Sequence, residues 1–457
     1  MKRLMTVSLL SVALVPLATA NDLDPVFVGP VPGRYIVTLS DAAVGVVAGD
    51  PSAPSAVRSL AEDLARIYDG RVERTWGDAL NGFVVEGLDK DMAKHLARNP
   101  FVLAVEPDNQ WRSPPPLAIG CEEEGPFRTD RRTLPSSQSN GSQLIICGNP
   151  GGAYCVDNWG LDRINQRDGT RDGSYAWGEN GYAVHIYIID SGIDEHREFR
   201  DHLGLSRVDR TNAANFTNDL DTYDCTGHGT HVAGIAAGRT YGVAKDAILH
   251  PVKVGTLCTT PNSMDSWLIS ALDFVRQSVG QHQWPAVANL SGGNGLELNR
   301  TMAFQLCAAN LIASGVQLVQ SAGNEGLNAC VSSLGDTTDA LVVASSNSDD
   351  EQSATSNRGR CIDIFAPGDE INSARFTPVG NGDWLGAEFC SMSGTSMAAP
   401  HVSGALALYL DSSPGLTPSH LRNLLIGDSS IDVLCDDEME CEDPINETTP
   451  NRLLYVP

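Results

Sequence analysis

The chain has 457 residues, with 57 Asp and Glu against 31 Lys and Arg, for a net charge of −26. A hydrophobic content of 42% is enough to build packed cores and excludes wholesale disorder, and the length predicts about two to three domains. A surplus of this sign repels phosphate backbones and acidic lipids, which argues against nucleic acid or an anionic membrane as a partner.

Lys2 and Arg3 precede an almost wholly apolar stretch from residue 4 to 18, and Ala18-Thr19-Ala20 has the form of a cleavage site. Residues 1–20 are therefore expected to be a secretory signal. No other stretch reaches 18 apolar residues, so the mature chain is expected to be secreted, outside the cytoplasm and off the membrane. There the eleven cysteines (Cys121, Cys147, Cys155, Cys225, Cys258, Cys307, Cys330, Cys361, Cys390, Cys435 and Cys441) become disulfide candidates. The odd count leaves at least one thiol free or paired between chains. None forms a C-x-x-C pair, which argues against zinc, and Cys435 and Cys441 are close enough to close a small loop.

Arg34–Leu39 reads as a strand, and residues 54–68 place Val57, Leu60, Ala61, Leu64 and Ile67 at helical spacing. A second strand is expected over 82–88, around Phe83 and Val85, then a helix capped by Asp89 that carries Met92 and Leu96. Phe101–Val105 closes the unit as a third strand, so residues 21–109 predict a small α+β domain. Pro114–Pro116 and Ser136–Ser142 have loop composition, and residues 110–156 read as a linker pinned in part by disulfides through Cys121, Cys147 and Cys155. Arg131-Arg132 within it is either a processing site or a pair of solvated arginines.

Residues 157–428 alternate strands with helices. Strands are expected at Ala183–Ile189, Ala286–Leu290, Val316–Val319 and Leu341–Ala344, and helices over 263–279 and 298–313. This order predicts an α/β domain, a mostly parallel doubly wound sheet. The last part, 429–457, is acidic: 428–443 holds eight acids and no base and reads as a solvated segment.

Three short motifs carry chemistry. Asp190 leaves the C-terminal end of a buried strand in Ile189-Asp190-Ser191-Gly192, the edge of an α/β sheet where catalytic groups gather. His228 opens a run of small residues in Gly227-His228-Gly229-Thr230-His231. Ser396 sits in Gly394-Thr395-Ser396-Met397-Ala398, at the start of an apolar run to Leu410. A serine hydroxyl is a weak nucleophile, an imidazole with a pKa near ~6.5 can take its proton, and a buried carboxylate orients the imidazole. Asn324, in Ser321-Ala322-Gly323-Asn324-Glu325-Gly326 just past a strand, supplies a donor for a developing oxyanion. Taken singly, each motif is as consistent with a cap or a turn; together, in the order Asp, His, Asn, Ser, they define acyl-transfer machinery. A zinc site of the H-E-x-x-H kind is excluded at His228 and His231, because Gly229-Thr230 supplies no acid between them.

Residues 182–410 resemble the subtilisin-like serine proteases, closest to the proteinase K type, and residues 33–109 resemble the inhibitory propeptide that many members carry. The resemblance implies Asp190 as the triad acid, His228 as the base, Ser396 as the nucleophile and Asn324 as the oxyanion donor. It implies a structural His231. Ser291, Gly292, Gly293, Ala322, Gly323 and Glu325 match substrate-binding positions. Many members have a leucine after the serine matching Ser291, and Gly292 stands there instead. Glu325, at a position matching the floor of the S1 pocket, would accept a basic P1 side chain, whereas the family default is apolar. No cofactor is needed for the chemistry; a structural calcium is expected in some members, near Asp369-Glu370. The partners implied are peptide and protein substrates and the chain's own propeptide, on a monomer, with self-cleavage somewhere in 109–120. The rivals are a basic-specific processing protease, a catalytically inactive binding module, and an esterase, which lacks the G-x-S-x-G it would need.

Overall fold

The computed structural model describes residues 26–112, 119–122, 142–145, 158–224, 226–255, 263–292, 301–335, 338–375, 388–435 and 449–457. The expected signal at 1–20, Gly293, most of the 110–156 stretch and the second half of the acidic 428–443 run lie outside these residues.

The first domain runs β1 (Val26–Leu39), α1 (Asp41–Val44), α2 (Ala53–Ile67), β2 (Arg71–Trp76), β3 (Gly82–Glu86), α3 (Lys90–Leu96) and β4 (Val102–Arg112). Its strands pair antiparallel in the order β4-β1-β3-β2, a ferredoxin-like arrangement. Successive residues of a strand face opposite ways. Val37, Phe83 and Val85 pack with Val57, Ala61, Leu64 and Leu96 of the domain's own helices. Ile36, Val84 and Trp76 face the other way, into a core shared with the second domain. Asp89 caps α3 by accepting from the N–H groups of Asp91 and Met92. The sequence reading placed no strand at β2, because its apolar positions are interrupted by charge. Those charges pair across the sheet, Glu73 with Arg34 at 3.1 Å and Arg71 with Glu86.

The second domain contains β5 (Ile119–Glu122), β6 (Ser142–Ile145), α4 (Trp159–Ile164), β7 (Ser174–Trp177), β8 (His185–Asp190), β9 (Ala214–Asn215), α5 (His228–Ala237) and β10 (Ile248–Lys253). It continues through β11 (Ser263–Met264), α6 (Asp265–His282), β12 (Ala286–Leu290), α7 (Met302–Ala313), β13 (Gln317–Ser321), α8 (Ala329–Ser332), β14 (Leu341–Ser346) and β15 (Ile364–Pro367). It closes with β16 (Ile371–Arg375), β17 (Glu388–Met392), α9 (Thr395–Ser412), α10 (Pro418–Asp428), β18 (Ser430–Ile431) and β19 (Arg452–Leu453). Nine strands form one sheet in the order β18-β19-β15-β14-β13-β12-β8-β10-β9, all pairs parallel except β18 with β19. Helices cover both faces. Ile186 and Ile188 of β8 pack with α5 and α9, and Tyr187 and Ile189 pack with α6 and α7.

Two segments differ from the sequence reading. Residues 110–156 hold the end of β4 and the strands β5 and β6, and β5 pairs with β17 while β6 pairs with β7. The C-terminal part is no free tail. β18 and β19 join the sheet, and Leu434, Leu453, Leu454 and Val456 are buried, because those side chains complete the core at its edge.

The two domains meet on α6 and α7. Ser270 accepts from the Trp76 indole at 2.8 Å, and Asp265 accepts from Asn109 at 2.7 Å and from the Trp111 indole at 2.6 Å. β4 adds to β11 as an antiparallel neighbour, Trp111 opposite Ser263. Glu106 receives the N–H groups of Met302 and Ala303 at 2.8 and 3.1 Å, placing a carboxylate on the N-terminus of α7. Cys330 and Cys361 form a disulfide, and Cys307 is a buried free thiol. Among the described residues no helix is long and apolar enough to cross a membrane.

Candidate active site

Asp190 ends β8, Ser291 follows β12, and Asn324 lies three residues past β13. These are adjacent parallel strands, so all three residues reach the same C-terminal rim. α5 begins at His228 and α9 at Thr395, one residue before Ser396. Glycines permit the close approach. Gly227 caps α5 with φ +82°, and a Cβ on Gly229 would sit 2.1 Å from the Gly192 carbonyl oxygen.

The His228 Nδ1–H donates to Asp190 Oδ1 at 2.8 Å, and the same oxygen accepts the Ser191 N–H at 2.7 Å. A neutral His228 fixed in this tautomer has a bare Nε2. Burial works against its imidazolium, but the charge and hydrogen bond of Asp190, aided by Asp224, outweigh it and hold the pKa above the ordinary histidine value. His231 is fully buried and donates from Nε2 to the Cys390 carbonyl at 2.9 Å; burial pushes its pKa down to about 3. It is therefore neutral and engaged with the backbone.

Ser396 occupies the first turn of an 18-residue helix, where backbone N–H groups have no intrahelical acceptor and favour negative charge. Its hydroxyl donates to the Ser291 carbonyl at 3.0 Å, and Ser291 Oγ donates back to the Ser396 carbonyl at 2.9 Å. Among the described residues no hydrogen bond joins Ser396 Oγ to His228. Such contacts often tighten only when substrate binds. Asn324 Oδ1 accepts from Thr395 N–H at 2.8 Å and Thr395 Oγ1 at 3.0 Å. These donors fix which end of the amide is oxygen and leave its NH₂ group without an acceptor among the described residues.

Asp224 is the functional residue that the sequence reading missed. It is buried, receives Thr230 N–H at 2.8 Å and Thr230 Oγ1 at 2.7 Å, and receives Ser191 Oγ at 2.9 Å. Ser191 Oγ in turn accepts from Gly229 N–H at 3.0 Å. One carboxylate thus ties the exit of β8 to the first turn of α5. The available signal was an acid four residues before His228, at a helix start.

The substrate-binding candidates divide. Ser291 borders Ser396 directly. Beside Gly292 a Cβ would meet nothing within 4 Å among the described residues. Ala322 is fully buried, so only its backbone is available. Gly323 has φ +102° and donates its N–H to Thr395 Oγ1 at 3.1 Å. Glu325 Oε2 accepts from Asn357 Nδ2 at 2.6 Å, and burial pushes its carboxyl above the ordinary range. Asp369 is turned toward Ser345 at 3.5 Å, and the Glu370 N–H donates to Ser393 Oγ at 2.8 Å. Among the described residues no cluster of three His, Cys, Asp or Glu could hold a metal ion, there or elsewhere.

An acid–imidazole pair beside a helix-start serine, at the rim of a parallel α/β sheet, defines a hydrolase of the acyl-transfer class. Residues 181–447 match the subtilase family (peptidase S8), and residues 34–113 match the peptidase inhibitor I9 family. The chain is 33% identical to an extracellular serine proteinase from Thermus sp., over 93% of this chain and 90% of that one. It is also 33% identical to an alkaline proteinase from Hapsidospora chrysogena, over 85% of each chain. A solved cold-adapted subtilisin-like serine proteinase superposes with TM-score 0.54 at 37% identity, covering 65% of this chain and 97% of that one. The chain belongs to the subtilase family of serine endopeptidases and carries an I9 propeptide domain.

Proposed function

We propose that this endopeptidase is secreted as a zymogen and hydrolyses peptide bonds through an acyl-enzyme, with Asp190, His228 and Ser396 as its triad. His228 Nε2 takes the Ser396 proton as Oγ attacks the scissile carbonyl. Asp190 stabilises the imidazolium, and Asn324 Nδ2 with the Ser396 N–H holds the oxyanion. His228 then protonates the leaving amine, and water repeats the sequence on the ester. The observation that carries this reading is the His228–Asp190 hydrogen bond, set where α9 delivers Ser396. A sulfonyl fluoride probe is expected to label Ser396 alone; a label on another serine, or none, refutes it.

Apolar P1 residues are the preferred substrates. Glu325 is bound to Asn357 and pushed toward its neutral form by burial, so it is a weak counter-charge for a basic side chain. Glu325→Gln is expected to change kcat/KM for Lys and Arg at P1 by only about 2- to 5-fold, an exposed-pair magnitude. A loss of about 100-fold in a peptide-library digest would favour the basic-specific processing reading.

The I9 domain acts as an intramolecular inhibitor, released by self-cleavage in 109–120. Residues 109–112 are held in β4, which favours a cut beyond Arg112. The leader and the extracellular relative support export. Glu106→Ala removes the carboxylate cap of α7, an interaction of about 0.5–2 kcal/mol. It is expected to shorten the lag before activity appears as the full-length chain matures, with the inhibitor held about 2- to 30-fold less tightly. An unchanged lag counts against the cap.

A further inference from the structure

The I9 match begins at residue 34, whereas β1 begins at Val26. The first residues of β1 form an arm of their own. From Pro30 to Tyr35 β1 advances five residues while the facing β4 moves only two, from Asn109 back to Pro107, so the ladder is interrupted there. On the arm it is antiparallel again, with Pro30 opposite Asn109, Gly29 opposite Gln110, Phe27 opposite Trp111 and Val26 opposite Arg112. Gly29 keeps the arm in step with β4. The register shifts between Phe27 and Gly29, and the Gly29 φ of +121° is a backbone that residues with a side chain rarely adopt.

The part of β4 under this arm is also the part that meets the second domain. Its other edge pairs with β11, Trp111 opposite Ser263 and Gln110 opposite Met264. The end of β4 is therefore an inner strand, with the second domain on one side and the arm on the other. Trp111 joins all three. It is buried, its indole donates to Asp265 at 2.6 Å, and its ring lies against the Phe27 ring with centroids 4.8 Å apart and planes tilted by 50°. Phe27 itself is 46% exposed, so it covers Trp111 from outside rather than filling a core.

We propose that residues 26–30 are an autoinhibitory clasp, an arm outside the I9 fold that holds the I9 tail at 109–112 down on the second domain. Without the arm, that tail would present an unpaired outer edge to water. It would keep the short ladder to β11 and the bonds of Asn109 and Trp111 to Asp265, with Trp111 uncovered. With the arm in place, the tail must break two ladders before it lifts. The function of the clasp rests on the proposed reading of the I9 domain as an intramolecular inhibitor: it slows the step in which the tail leaves.

Two variants open the clasp by different routes. Phe27→Ala removes the cover of Trp111, and Gly29→Val strains the backbone of the arm. In the full-length Ser396→Ala chain, amide hydrogen exchange over 109–112 is expected to quicken about 2- to 10-fold in each, the range for loss of one aromatic pair. Exchange over Arg34–Leu39 and Gly82–Glu86 is expected to stay as it was. On the active chain the same substitutions are expected to shorten the lag before activity appears by a similar factor. Unchanged exchange over 109–112 overturns the clasp. An increase spread evenly over the I9 sheet also overturns it, because the arm would then support the whole domain. So does an unchanged lag in a variant whose exchange has quickened. The inhibitor reading fails by a different result: an active chain without these substitutions that shows no lag refutes it, and the role of the clasp with it, whatever the exchange map gives.

Discussion

Ser396→Ala is expected to lower kcat by about 10⁶, the loss seen when a serine protease of this order loses its nucleophile. It is also expected to leave the chain uncut, with the I9 domain attached. The variant should fold. The Ser396 hydroxyl makes one hydrogen bond, to the Ser291 carbonyl, worth about 1 kcal/mol, while the rest of α9 keeps its buried contacts. Activity on a chromogenic peptide, chain length on a reducing gel and a thermal melt separate the outcomes. A full-length protein with a near-unchanged melt and no activity is the expected set. A variant expressed alone that still matures to a new N-terminus between residues 113 and 120 would show that cleavage is not autocatalytic. A wild-type N-terminus at Asn21, or at Trp159 or beyond, would show that the cut lies elsewhere.

The legible parts of this molecule were those where one physical requirement dominates a short stretch. Ala183–Ile189 is apolar because β8 is covered on both faces. Gly227 and Gly229 flank His228 because side chains there would strain the backbone or strike Gly192. The parts that were not legible depend on partners distant in sequence. β2 reads as a charged loop until Arg34 and Glu86 stand opposite its charges. Ser430–Ile431 and Arg452–Leu453 look like the ends of an acidic tail until β15 offers its edge. Asp224 is one acid among many until Thr230 and Ser191 converge on it. Asn215-Phe216-Thr217 and Asn289-Leu290-Ser291 have the N-x-S/T form of a glycosylation acceptor. Yet Asn215 Nδ2 donates to the Asp219 and Asp221 carbonyls, both at 2.8 Å, and Asn289 is fully buried against Ser291 and Ser403.

Asp190→Ala is expected to lower kcat by about 10⁴, and Asp190→Asn by less, near 10³. The difference follows from which oxygen does the work. Both the His228 Nδ1–H and the Ser191 N–H reach Oδ1, and Oδ2 has no partner. An asparagine keeps both hydrogen bonds with its carbonyl oxygen in the Oδ1 position, so the imidazole tautomer survives. What it loses is the charge. Its NH₂ group takes the place of the unpartnered oxygen, at a cost of about 1–3 kcal/mol in stability. The pH profiles give an independent reading. The proposed base, His228, must be neutral to act, so wild-type kcat/KM is expected to fall as pH drops through its raised pKa. Without the carboxylate charge, the burial that opposes the imidazolium prevails and the pKa falls. The acid limb of Asp190→Asn is therefore expected at lower pH than in the wild type, together with a reduced plateau. A limb that stays in place while the plateau drops would mean that Asp190 orients His228 without tuning it. A plateau as low as that of Asp190→Ala would mean that the tautomer was lost after all.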